Sequence, residues 1–139
     1  MKHLNKLYYT SKIEKREIVK TGYYCSLDYL IVSNGRYPTA YVIIPADWKE
    51  IIDDDEIDCH GGITYFKDKL DVFPLENDTT SFIGWDYAHY GDCGVGRSPR
   101  EGKRWTIEEI EIECRQVIDQ ILHMVFNHQE YTAFSISAF

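Results

Sequence analysis

Four side chains capable of acid–base or metal chemistry stand in two short stretches of this chain. "HGGITYF" at 60–66 carries His60, and "SFIGWDYAHYGD" at 81–92 carries Asp86, His89 and Asp92 at spacings of three. A spacing of three gathers side chains when the backbone turns, so a curl at Ala88 would bring the last three together. Two imidazoles and two carboxylates are competent ligands for a divalent metal. A carboxylate behind an imidazole also makes a general base. The same residues have a plain structural use, in which the aspartates cap turn amides and the histidines bond backbone carbonyls. No HExxH or paired CxxC motif occurs. Three readings therefore stand together: turn capping, a ligand pocket, or a metal or catalytic site built from His60, Asp86, His89 and Asp92.

A second set of groups follows at once. "GRSPREGKR" at 96–104 delivers Arg97, Arg100, Lys103 and Arg104 against a single acid, just before an expected helix start. Helix N-termini favour anions, and guanidinium groups grip phosphates in pairs of bonds. With Trp85, Tyr87 or Tyr65 as stacking surfaces, such a loop suits a nucleotide-like ligand. The glycine spacing matches neither a P-loop nor a dinucleotide fingerprint. Read plainly, the loop is a solvated basic segment. Cys93, four residues after His89, is a weak candidate nucleophile, and no G-x-S-x-G elbow supports a serine one.

Several elements must position these groups. Residues 17–33 are rich in β-branched and aromatic types and read as strand, although "SLDYLIV" also suits a short helix. "NGR" at 34–36 marks a turn. "TAYVIIP" at 39–45 reads as a buried strand and 46–52 as one or two helical turns. Residues 57–66 and 81–87 read as two antiparallel strands. On that reading side chains alternate between faces, so Cys59 and His60 point apart and His60 shares a face with Gly62 and Thr64. The clearest element is a helix from about 106 to 126. Thr106 and Glu109 form a capping box, and Ile107, Ile110, Cys114, Val117, Ile118, Ile121, Leu122 and Val125 make one apolar stripe. Glu111 and Arg115 make a favourable i,i+4 pair. The tail "YTAFSISAF" reads as an edge strand or as a segment buried against another subunit, so a homo-oligomer is within reach. Together these elements predict a single α+β domain over 1–139, a small antiparallel sheet packed against one long C-terminal helix.

The two stretches resemble a family of small proteins encoded by phages and prophages. Its members share His-Gly-Gly-(Leu/Ile)-Thr-Tyr, matched here by His60–Tyr65, and aromatic-x-Gly-aromatic-Asp-x-Ala-His-x-Gly-Asp, matched by Phe82–Asp92. An apolar strand ending in proline, Tyr41–Pro45, precedes them, and a helical Glu113–Cys114 pair follows. The likeness covers about residues 38–120, with Trp85 where the family usually carries Phe. It implies a phage or prophage origin and an accessory role, and it assigns no activity.

Composition bounds the rest. The 139 residues carry a net charge of −8, which argues against a general binder of nucleic acid. Residues 47–58 hold seven acids and one lysine, a solvated surface or a mimic of nucleic-acid charge aimed at a basic groove. Four cysteines without CxxC spacing suggest reduced thiols. No apolar leader or membrane-length run is visible, so a cytoplasmic location in the host cell is expected. The leading expectation is a non-enzymatic accessory protein that binds a host defence protein or a small nucleotide-like ligand to counter defence. Its alternative is a metal-dependent hydrolase. The expected ligand set is His60, Tyr65, Trp85, Asp86, His89, Asp92, Arg97, Arg100 and Arg104.

Overall fold

The computed structural model describes the backbone of residues 7–10, 14–70, 79–93 and 102–137, and the side chains of 16–70, 79–93 and 102–129. Six strands, β1 (Leu7–Thr10), β2 (Glu14–Tyr24), β3 (Leu27–Ser33), β4 (Pro38–Pro45), β5 (Tyr65–Lys67) and β6 (Thr80–Asp86), precede one helix, α1 (Ile107–Ser137). They form one sheet in the order β1-β2-β3-β4-β6-β5, in which every neighbouring pair is antiparallel. Alternation along the strands makes two apolar faces. Tyr29, Ile31, Val42, Ile44, Ile83 and Trp85 face the helix stripe of Ile110, Cys114, Val117, Ile118, Ile121 and Val125. Leu30, Val32, Tyr41 and Phe82 face the other way, with Ile18 and Leu70. The α+β sheet-and-helix arrangement is the one expected. Among the described residues no helix is long and apolar enough to cross a membrane.

Turn chemistry sets the register. Asn34 Oδ1 accepts from the amides of Arg36 and Tyr37, and Gly35 takes φ +90°, so the expected turn joins β3 to β4. Between β2 and β3 only Cys25 and Ser26 intervene, at φ +48° and +75°. Positive φ at both central residues is the geometry of a type I′ hairpin, normally the province of Asn and Gly. The residues that read ambiguously as helix or strand are thus strand, held by the hairpin.

Two expectations are corrected. The strand expected over 57–66 is limited to Tyr65–Lys67. Gly61 and Gly62 adopt φ +71° and +80°, two successive left-handed residues that interrupt a regular ladder, and Gly62 N instead bonds Cys59 O at 3.0 Å to close a turn. His60 therefore sits on a turn, and the face assignment made for it as a strand residue does not apply. The tail expected as a strand continues α1 to Ser137. No glycine or proline follows Gly102, so nothing in the sequence stops the helix. The expected 46–52 turns form as a 3-10 segment at Ala46–Glu50, followed by a second at Asp54–Glu56.

The hairpin gives a direct test. A non-glycine residue held at φ +75° costs roughly 1 kcal/mol. Ser26→Gly is expected to raise the unfolding free energy by about that amount, read as a higher urea midpoint with an unchanged m-value. A lower midpoint would show that the hairpin geometry is wrong.

Candidate functional site

Asp92 is the centre of the cluster. It lies six residues beyond the last residue of β6, is only 4% exposed, and receives three bonds. His60 Nε2 lies 2.7 Å from Oδ2, the His89 amide donates to Oδ2 at 3.0 Å, and Trp105 Nε1 donates to Oδ1 at 2.9 Å. Burial pushes the Asp92 carboxyl pKa up, but the bonds from His60, His89 and Trp105 outweigh it and hold the group below the ordinary aspartate range. The backbone adds a second tie. Cys93 N bonds Lys103 O at 2.8 Å and Lys103 N bonds Gly91 O at 2.7 Å, pinning the segment before α1 to the turn after β6. Gly102 permits this approach, since a Cβ there would lie 2.6 Å from Asp92 C.

His60 is packed on three sides. Its ring stacks on Tyr87 at 4.9 Å and 8°, meets Trp105 at 4.8 Å, and meets His89 edge-on at 5.3 Å. Its backbone amide donates to Glu113 Oε2 at 3.2 Å. Glu113 Oε1 in turn accepts from Trp85 Nε1 at 3.1 Å and from the Tyr87 hydroxyl. Burial and the Glu113 bond push the Tyr87 phenol far above the ordinary range. Burial, followed by the charge of Glu113, pushes the Cys59 thiol up to about 12, the direction that disfavours a thiolate.

The second pair lies beside the first. His89 Nε2 is 3.1 Å from Asp86 Oδ1, an ion-pair distance, yet it is out of line for a hydrogen bond and is buried without another partner. Asp86 also caps its own turn through the Ala88 amide at 3.1 Å and accepts from Thr64 Oγ1 at 3.3 Å. Gly61 runs directly past this imidazole: a Cβ on it would lie 2.0 Å from His89 Nε2. The glycine pair thus serves the turn and the close approach together.

His60, Asp86, His89 and Asp92 therefore do converge, as two His–Asp pairs in ring contact. Among the described residues no group of three or more His, Cys, Asp or Glu side chains is disposed to hold a metal ion. The aspartates cap turn amides as anticipated, and the histidines turn to carboxylates rather than to carbonyls.

The expected stacking groups are corrected. Trp85 and Tyr87 are fully buried and face the helix, with no surface to offer a ligand ring beyond a Tyr87 edge. Tyr65 lies on the far side of the sheet, against Tyr41 at 5.5 Å and bonded to Lys69 O. Arg97 and Arg100 lie outside the described residues. Arg104 is exposed. The helix start is also less open to anions than expected, because Thr106 and Glu109 satisfy each other in the capping box and Glu108 adds negative charge. Glu111 accepts from the Tyr29 hydroxyl.

Beside the cluster, a cleft of about 270 Å³ opens between the β3–β4 turn and residues 103–110. Ile31, Tyr87, Trp105 and Ile110 contribute its apolar wall, Cys93 lines it, and Arg36, Lys103 and Arg104 bring positive charge. Lys103 Nζ bonds Glu109 at 2.8 Å and lies 3.9 Å over the Trp105 ring. Trp105 and Tyr87, 5.1 Å apart, belong to the cleft and to the His60 cluster alike. Neither Trp105 nor Glu113 was singled out for a role at the site by the sequence.

Removing the Asp92 carboxylate would strand three donors. Asp92→Ala is expected to cost about 3 kcal/mol in urea unfolding, and Asp92→Asn less, because the amide oxygen still accepts from Trp105. Since the folded pKa is depressed, this contribution is complete above the unfolded aspartate value and is lost as pH falls through the folded one. The wild type should therefore lose stability more steeply on acidification below pH ~4 than Asp92→Asn does. Equal acid profiles would remove Asp92 as the centre of the cluster. No protein-family model, no curated protein and no solved structure matches the chain.

Proposed function

We propose that this chain acts by binding: it is a small accessory protein, of phage or prophage origin, that captures a host-derived ligand in the cleft beside Trp105 and so counters host defence. The observation that carries this reading is how the Asp92–His60 half of the cluster is spent. Asp92 has both oxygens engaged by three donors, and His60 Nε2 is committed to Asp92. Groups used in this way fasten loops and leave little for a metal or a water nucleophile. The hydrolase alternative is accordingly the weaker one. The concave surface next to the cluster combines an apolar wall with three cationic side chains, a combination suited to a small anion with an apolar body.

The acidic segment supports a second mode, inhibition of a nucleic-acid-targeting defence effector. Ile52 and Ile57 are buried, and between and beside them Asp53, Asp55, Glu56 and Asp58 stay exposed on a turn fixed by Asp53 Oδ1 and the Asp55 amide. Such a surface presents anionic groups at defined positions to a basic groove.

The capture reading is tested by thermal shift with a panel of small anions carrying apolar bodies, nucleotides and aryl carboxylates among them. A ligand at a hundred times its Kd should stabilise the fold by about 2.7 kcal/mol, and Arg104→Glu should abolish the shift while leaving the unliganded midpoint nearly unchanged. A panel without any shift would overturn it.

A further inference from the structure

We infer that the sheet face turned away from α1 holds a site for a small, multiply charged phosphate of the pyrophosphate class, between Arg16 and residues 65–70. The site is separate from the cleft beside Trp105 and does not rest on the capture reading.

The recess itself is the first observation. It measures about 520 Å³ and is lined by Arg16, Tyr65, Lys67, Asp68, Lys69 and Leu70. Arg16 belongs to β2, where alternation puts it on the side of Ile18. Tyr65 and Lys67 belong to β5, at the opposite end of the strand order. Ile18, Tyr65 and Leu70 all pack in the apolar cluster on the side away from the helix. Two separate parts of the chain thus bring three cationic side chains to one opening.

Charge is the second. Among the described residues none of Arg16, Lys67 and Lys69 forms an ion pair. The one acid in the lining, Asp68, is matched by Lys49 Nζ at 3.0 Å and accepts from Ser81 Oγ at 2.5 Å. Three positive charges therefore line the recess with no carboxylate to balance them. Arg16 is half-buried. A cation that has given up part of its hydration gains most from an anion at contact.

The third is how these groups are held. Arg16 Nη2 donates to the hydroxyl of buried Tyr41 at 2.9 Å, which uses one donor of the fork and none of its charge. Tyr41 meets the Tyr65 ring edge-on at 5.5 Å. Tyr65 then holds the lysine segment: its hydroxyl bonds the Lys69 carbonyl, and Lys67 Nζ lies 5.6 Å from its ring centroid. Two tyrosines in contact fix an arginine on one side and the lysines on the other. Cations placed in advance cost a ligand less ordering on binding.

That arrangement selects the ligand. The donors left on the Arg16 fork suit two oxygens of a phosphate, and the lysine heads add point charges. Three cations exceed what one carboxylate or one sulfate balances, and they come close to the charge of pyrophosphate at neutral pH.

Calorimetric titration of the full chain tests this with inorganic pyrophosphate, orthophosphate, sulfate, citrate and a nucleoside diphosphate. Pyrophosphate should bind, with orthophosphate and sulfate each weaker by about tenfold or more, and its affinity should fall as salt is raised. Arg16→Gln should weaken it about tenfold. Lys67→Gln and Lys69→Gln together should do the same about as strongly. That pair leaves the Tyr65–Lys69 backbone bond and the Arg16–Tyr41 bond in place, so it decides the matter if Arg16→Gln disturbs the fold. Arg104→Glu, in the cleft on the helix side, should leave pyrophosphate binding unchanged. A nucleoside diphosphate that binds as pyrophosphate does supports the site with an esterified source, and pyrophosphate binding alone supports it with the free ion. No binding of pyrophosphate, or binding indifferent to both sets of variants, would overturn the site. Loss on Arg104→Glu alone would move the anion to the cleft and overturn it too. Citrate bound as tightly as pyrophosphate would overturn the phosphate class.

Discussion

Everything around the candidate site depends on one buried carboxylate. Asp92 is nearly sealed from solvent, and an ionised carboxylate in that position is tolerable only when donors surround it. The chain meets this need with three donors from three segments that share no sheet ladder at that point. They are the 59–62 turn through His60, the turn after β6 through the His89 amide, and the approach to α1 through Trp105. The demand of one charge for partners thus becomes a fastening between loops. Gly61 and Gly102 follow from it, since each lets backbone pass where a Cβ would collide.

Glu113 performs the matching task from the helix side. It joins α1 to β6 through the Trp85 indole and to the 59–62 turn through the His60 amide. His60 is therefore held at both ends, by its ring on Asp92 and by its backbone on Glu113. This arrangement also explains why Trp85 is no ligand platform. An indole in the core needs an acceptor for its N–H, and a half-buried glutamate on the apposed helix supplies one.

Much of this fold is legible in the sequence because the relevant signals are local. The Thr106–Glu109 box, the apolar stripe and the alternation in β3, β4 and β6 each speak through residues a few positions apart. The site was legible in its members, since His60, Asp86, His89 and Asp92 do meet, but not in its geometry. Gly61 and Gly62 fit a weakened strand as well as a turn. Only contact with His89, twenty-eight residues later, selects between them. Glu113 carried a usable sign: it is three residues after Ile110 and four before Val117, an acid beside the buried stripe. Trp105 did too, because it stands just ahead of the Thr106 cap, the position of a hydrophobic staple, and it packs against the core cluster that includes Ile110. Neither sign says what the polar atoms would bond. That depends on tertiary partners. The reach of α1 to Ser137 was missed because periodicity tells where a helix is buried, whereas only a breaker tells where it ends.

An acidic protein with a basic cleft poses an electrostatic question that its layout answers. At physiological ionic strength, charges beyond about 8 Å are largely screened. A small anion near Arg36, Lys103 and Arg104 would therefore feel those cations, and Glu109 beside Lys103, at short range and the remaining negative charge only weakly. A nucleic acid is different. It spans many charges at once, and its affinity grows with the number of phosphates neutralised. On this surface a long polyanion gains three cations and meets the exposed acids of 47–58 and the −8 net charge besides. The excess of acid thus disfavours long polyanions more than short ones. A small anion meets this penalty least, because it touches only the few charges that line the cleft.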